Sequence, residues 1–172
     1  MPDVIRIGTR GSDLARWQAT HVSGLHRDHY PDAQVEIVIF STKGDEILDK
    51  PLPSIGGKGL FTAELERALL DGDIDCAVHS LKDLPTENPP GLVVGAIPER
   101  APAGDVLISR DGHTLDDLPQ DAVIATSSLR RASQVRFHRA DFQIKDIRGN
   151  VPTRISKVQA EDSPYDAMIL AQ

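Results

Sequence analysis

The spacing of apolar and polar residues changes period several times along the chain. Val4 to Gly8 alternates in β-rich residues, Ser12 is placed to cap a helix reaching about Asp28, and Val35 to Phe40 reads as a second strand. That is a β-α-β start. Leu60 to Leu70 has helical periodicity, with Phe61, Leu65, Ala68 and Leu69 on one face, and it stops at Gly72. Ile74 to Val78 is a short apolar run that reads as a buried strand. The loop His79-Ser80-Leu81-Lys82-Asp83-Leu84-Pro85 follows it, and then a further strand candidate, Leu92 to Ile97.

Pro98 to Gly104, rich in proline, alanine and glycine, separates two stretches of similar rhythm. It divides the chain into a first domain over 1–98, a crossing over 99–104 and a second domain over 105–172. The second stretch predicts strands at Val106 to Ile108, Ala122 to Ala125, Phe142 to Ile147 and Ala167 to Leu170, with helices opening near Leu129 and Val151. Strands alternating with helices give an α/β fold with mostly parallel sheets.

Composition narrows the function classes. The 172 residues are 40% hydrophobic and 26% charged, ordinary globular values, and no apolar run approaches the roughly 18 residues of a membrane span. The N-terminus has no basic flank followed by a long apolar stretch, so a cytoplasmic location is expected. One cysteine, Cys76, excludes an internal disulfide and a cysteine-rich zinc cluster. A net charge of −7 and 4% aromatic residues argue against a nucleic-acid binder, which needs a basic face interleaved with aromatics. The arginines are unevenly placed, however. Arg130, Arg131, Arg136, Arg139, Arg148 and Arg154 crowd into one stretch, which points to a local site for an anionic small ligand.

Loops that join strand ends to helix starts form the ligand crevice in open α/β sheets. Thr9-Arg10-Gly11-Ser12 brings a cation and a hydroxyl to a helix start, where unpaired N–H groups favour an anion; alone it also reads as an ordinary cap. Ile55-Gly56-Gly57-Lys58-Gly59 is not a nucleotide loop, because the earlier glycine and the Ser/Thr after the lysine are missing. It reads as a mobile loop or close turn carrying Lys58. Lys82 and Asp83 follow a strand and can project into a cleft or into solvent. His79 beside Ser80 does not make a triad, and Cys76 reads as a packed, inert thiol. Thr126-Ser127-Ser128-Leu129-Arg130-Arg131 puts two arginines in a first helical turn, where the macrodipole repels cations. Ile147-Arg148-Gly149-Asn150-Val151-Pro152-Thr153-Arg154 repeats the arrangement, with Asn150 at the cap position. Breaking one local rule twice suggests that a bound polyanion supplies the missing negative charge, the alternative being arginines solvated or paired with carboxylates.

Together, Thr-Arg-Gly-Ser, Gly-Gly-Lys-Gly-Leu-Phe, Ala-Val-His-Ser-Leu-Lys-Asp-Leu-Pro, Thr-Ser-Ser-Leu-Arg-Arg and Arg-Gly-Asn-Val-Pro-Thr-Arg resemble the porphobilinogen deaminase (hydroxymethylbilane synthase) family, in order and over essentially the whole chain. The resemblance implies two domains of the type II periplasmic-binding-protein kind across a cleft, followed by a third. It implies head-to-tail condensation of porphobilinogen with release of ammonia, on a dipyrromethane cofactor tethered to a cysteine of the third domain. Hydrolysis then frees the linear tetrapyrrole, hydroxymethylbilane. By motif, Asp83 is the catalytic carboxylate, accepting pyrrole N–H groups and stabilising the azafulvene cation. Arg10, Ser12, Lys82, Ser128, Arg130, Arg131, Arg148 and Arg154 hold cofactor and substrate carboxylates, and Lys58 belongs to a mobile loop.

One departure from the family pattern stands out. The chain stops at Ala171-Gln172, and Cys76 does not match the attachment cysteine. The expectation is a catalytically incomplete chain that keeps its sites for porphobilinogen and carboxylated oligopyrroles. Members of the family are usually monomeric; this chain is expected to be prone to self-association. A second class of function, a non-catalytic anion or solute-binding α/β module, shares the fold and has no need of Asp83.

Overall fold

A computed structural model describes residues 4–46 and 59–172. The chain packs as two compact units, Met1–Pro98 and Glu99–Gln172.

In the first unit β1 (Val4–Arg10) lies between β2 (Gln34–Phe40) and β3 (Cys76–Ala77), all parallel. A central strand needs apolar or small residues on both faces, and Ile7, Gly8 and Thr9 of β1 are all buried. Helix α1 (Asp13–His29) begins where expected: Ser12 caps it, its Oγ accepting the Ala15 N–H at 3.3 Å. Ala15, Ala19 and Ser23 form its buried stripe. After a short α2 (Lys43–Glu46), α3 (Ala63–Asp71) buries Leu65 and Ala68. It starts three residues later than its apolar periodicity suggests. Gly59 has φ of +84°, and its carbonyl accepts from Thr62 and Ala63, so the preceding residues close a turn rather than a helical one. Gly72, in the left-handed region at φ 75°, ends α3 by donating its N–H to Leu69.

Two expectations fail in this unit. Leu92 to Ile97 forms no strand; Val93 is 85% and Ile97 69% exposed. Apolar residues alone do not make a strand. This run is flanked by Pro89, Pro90 and Pro98 and broken by Gly91 and Gly95, residues that remove ladder donors or weaken extended structure. The run Ile74 to Val78 is likewise reduced to a two-residue ladder, continued by Asp75 N–H to Arg6 O and Val78 N–H to Gly8 O. Cys76 is therefore half-buried at a strand edge and not a core residue.

The second unit has a four-stranded sheet in the order β4 (Asp105–Ser109), β7 (Ala167–Ala171), β5 (Val123–Ala125), β6 (Gln143–Lys145). Only β4 is antiparallel to its neighbour. Side chains alternate across the sheet. Ile124 and Ala167 join Val135 of α4 (Leu129–His138) in one apolar cluster. Ala125 and Met168 join Val158 of α5 (Val151–Gln159) in another. The two helices thus cover opposite faces, and the loops that precede them, from β5 and from β6, both emerge at the carboxyl edge of the parallel strands.

Candidate functional site

In the first unit the β1–β3 register sets Ala77 beside Gly8, so the chain leaving β3 arrives next to Arg10 at the end of β1. The loop then makes a 3₁₀ turn, Leu81–Asp83, with Asp83 N–H donating to Ser80 O at 2.9 Å. Ser80 is held from the side by Gln18 of α1, whose amide lies 3.1 Å from the hydroxyl. This fixes the loop to the helix that Ser12 caps. Asp83 ends with its carboxylate 3.8 Å from Arg10 Nη1, at side-chain exposures of 27% and 17%. Arg10 also lies over the Phe61 ring, 4.2 Å from the centroid, a favourable seat for a guanidinium. Phe61 itself packs against Gly44, where any Cβ would strike the ring. Lys82 is exposed on the same turn.

His79 lies in this group. Burial first, and then the charge of Arg10, lower its proton affinity, while Asp83 and Glu66 oppose them; the net shift is below the ordinary histidine value. Its ring is thus kept neutral over more of the pH range than a solvated histidine. The Cys76 thiol is pushed up by burial and then by the charge of Asp75, which makes it a poor nucleophile at neutral pH.

In the second unit the two helix-opening loops are fastened together. Ser127 Oγ donates to Ile147 O at 2.8 Å and accepts from Ile147 N–H at 3.2 Å. Ser128 caps α4, accepting from Arg131 N–H, whereas Asn150, at the cap position of α5, makes no capping bond with its side chain. Neither helix has an acidic residue in its first turn. Gly149, at φ +116°, lets the second loop turn tightly against Thr153.

The arginines divide into two kinds. Arg130 and Arg131 find their negative charge inside the protein, in Asp105 at the start of β4. Arg130 Nη2 lies 3.1 Å from Asp105 Oδ2, and Arg131 donates through Nε and Nη2 to Oδ1 at 3.1 and 2.9 Å. Arg131 Nη1 also reaches Ile169 O at 3.4 Å. Arg154 is different. Half its side chain is withdrawn from water, and its Nε is enclosed with no hydrogen-bond partner among the described residues. Burial, and then the neighbouring charges of Arg131 and Arg148, lower its proton affinity. A buried guanidinium N–H aimed at no acceptor, next to two like charges, is expensive unless an anion arrives.

Of the residues the sequence singled out as one binding set with a catalytic Asp83, the structure puts Arg10, Ser12, Lys82 and Asp83 in the first unit and Ser128, Arg130, Arg131, Arg148 and Arg154 in the second. Lys58 and its neighbours Ile55 to Gly57 lie outside the described residues. Gln18 and Asp105 went unremarked in the sequence because their partners are 62 and 25 to 26 positions away. Among the described residues no histidine, cysteine and carboxylate cluster could hold a metal ion, and no helix is long and apolar enough to cross a membrane.

A family model described as "Porphobilinogen deaminase, dipyromethane cofactor binding domain" matches residues 5–172. A porphobilinogen deaminase of Syntrophomonas wolfei is 55% identical over 167 residues, 97% of this chain and 54% of that protein. One of Nitratiruptor sp. is 55% identical over 168 residues, 97% and 53% of the respective chains. The chain spans about half the length of the curated relatives it matches. Among solved structures, the periplasmic aliphatic sulphonate binding protein SsuA from Escherichia coli is similar at a TM-score of 0.45 and 15% identity, over 100% of this chain and 52% of that one. A likeness of that size carries no argument about ligand or activity.

Proposed function

The chain belongs to the porphobilinogen deaminase family, and on that premise we propose that it supplies the groups which bind and activate porphobilinogen for head-to-tail condensation into a linear tetrapyrrole. The observation that carries this reading is Arg154, whose enclosed Nε lacks an acceptor among the described residues, beside Arg131 and Arg148. A pyrrole bearing acetate and propionate groups offers the acceptors it lacks.

The same donor set fits the dipyrromethane cofactor, which is also polycarboxylated. Ser128, Arg130, Arg131, Arg148 and Arg154 of the second unit would hold its carboxylates; in the first unit Arg10, Ser12 and Lys82 are donors of the same kind for a pyrrole carboxylate. When bound, that group supplies the pyrrole to which further units are added.

Asp83 has the chemistry for the substrate step. Its carboxylate is partly withdrawn from water and accepts the pyrrole N–H. As the aminomethyl C–N bond breaks, its electron pair leaves on ammonia and positive charge spreads over the ring. A fixed carboxylate next to that charge stabilises it more than water does. Arg10 stands against Asp83, limiting its movement and offering a second charge to a substrate carboxylate.

Asp83→Asn in the complete protein that carries this sequence tests the assignment. Affinity for porphobilinogen is expected to stay within a few fold, while turnover falls by about a hundredfold or more. Turnover near the parent's would remove Asp83 from the chemistry. A parent that binds carboxylated pyrroles but never releases ammonia from porphobilinogen would favour the non-catalytic anion module.

A further inference from the structure

Asp105 is the one carboxylate among the described residues that touches both arginines of the Ser-Leu-Arg-Arg turn. It lies at the start of β4, outside every anion-binding loop. Three of the five N–H donors of Arg131 are engaged, two by Asp105 and one by Ile169 O. Arg130 divides its guanidinium between Asp105 and Gln134. The side-chain exposure of Asp105 is 23% and of Arg131 14%, so this ion pair is screened less than a surface pair. A cavity of about 210 Å³ opens beside it, lined by Asp105, Arg131, Gln134, His138 and Ile169 among others.

We propose that Asp105 is a positioning residue that acts as an internal counter-anion, holding Arg130 and Arg131 in place and competing with ligand carboxylates for their charge. The idea rests on the reading of the arginine loops as a seat for carboxylates. With Asp105 present, the cluster around Arg154 is partly neutralised, so a carboxylate is captured in a prepared site yet released readily. A growing polyanion whose carboxylates must move past the arginines needs that balance.

Removing the carboxylate should therefore tighten binding. A unit charge about 6 Å from the bound carboxylate, in a solvent-open site with an effective dielectric of about 40 to 80, changes affinity by roughly three- to tenfold. Titration calorimetry of the protein with succinate, and separately with porphobilinogen, reads this directly. Asp105→Asn is expected to lower the Kd by that factor and to steepen its rise with salt, because one more cation is left uncompensated; Asp105→Glu should return both towards the parent. Loss of a merely structural contact would weaken binding and leave the salt slope unchanged, and that result, or an unchanged Kd, overturns the proposal.

A measurement on the parent does not depend on the variant's folding. The carboxyl carbon resonance of Asp105 should titrate at higher pH once succinate is bound, since the ligand draws Arg131 away; no movement overturns the proposal. If both proteins bind succinate, Asp105→Asn the more tightly, but neither binds porphobilinogen, Asp105 keeps its role and the reading of the loops as a pyrrole-carboxylate seat fails. Gain in neither protein overturns the competition itself.

Discussion

Arg10 lies over the ring of Phe61, 4.2 Å from its centroid, and it is from this platform that its Nη1 meets the Asp83 carboxylate at 3.8 Å. The aromatic ring thus bears on the site through Arg10. Phe61→Leu keeps most of the apolar volume and removes the π-face, a loss of about 0.5 to 2 kcal/mol for a partly desolvated guanidinium. The expected result is a KM for porphobilinogen raised several-fold with kcat changed less. Gly44→Ala, which displaces the ring, should shift KM the same way; steady-state kinetics of the complete protein check both.

Arg154 carries the opposite balance between stability and binding. Replacing it by Met keeps the aliphatic packing and removes a half-buried guanidinium whose enclosed Nε has no hydrogen-bond partner among the described residues, next to two like charges. Such a change should raise the unfolding free energy of the second unit by about 1 kcal/mol while carboxylate binding is lost. Urea melts and succinate titration of the same variant measure the two effects. A variant that is destabilised and still binds would show that Arg154 is a packing residue.

His79 gives the first unit a pH dependence with a definite sign. Its folded-state pKa is lowered from the ordinary 6.5, burial being the largest cause, so the unfolded chain takes up the proton first. The stability contributed by neutral His79 is complete above the unfolded value and is lost as pH falls through the folded one. Asp75, Asp105 and Asp141 are held below the ordinary 3.8, each first by hydrogen bonds from its arginine, Arg6, Arg131 and Arg139. Their contributions are present above that value and are lost only as pH falls below it. Amide exchange at Val78 should therefore accelerate as pH falls from 7 to 5 after correction for the intrinsic rate, and His79→Gln should abolish that acceleration.

Arg139 closes α4 onto the loop before β5. It donates to Leu118 O at 2.7 Å, to Asp116 O at 3.3 Å and to both oxygens of Asp141, and lies over the Phe142 ring at 4.2 Å. Arg139→Ala strands the part-buried Leu118 carbonyl and uncovers the ring, and is expected to cost about 1 to 2 kcal/mol. Denaturant midpoints at constant m-value test this; carboxylate binding should change little.

Much of the fold was legible because local and tertiary signals agree. Ser12 opens α1 and Gly72 closes α3 through caps that act within a few residues. Ile124 and Ala125 face opposite clusters as period-two alternation requires. The failures are places where pattern and partner separate. Leu92 to Ile97 has strand composition but pairs with no strand among the described residues. In the site, arginines at two helix starts were readable as a broken local rule, and Arg154 is where that rule stays broken. Arg130 and Arg131 are reconciled with it by Asp105, a carboxylate no local rule could assign to them, because it approaches from another strand of the sheet.

The reciprocal bonds between Ser127 and Ile147 have a consequence for how this protein can vary over evolutionary time. They join the β5–α4 and β6–α5 connections through one hydroxyl and the main chain, so an insertion or deletion in either would break both bonds and shift the other. The two connections are bound to keep matched lengths, and any change of length in one is tolerated only with a compensating change in the other.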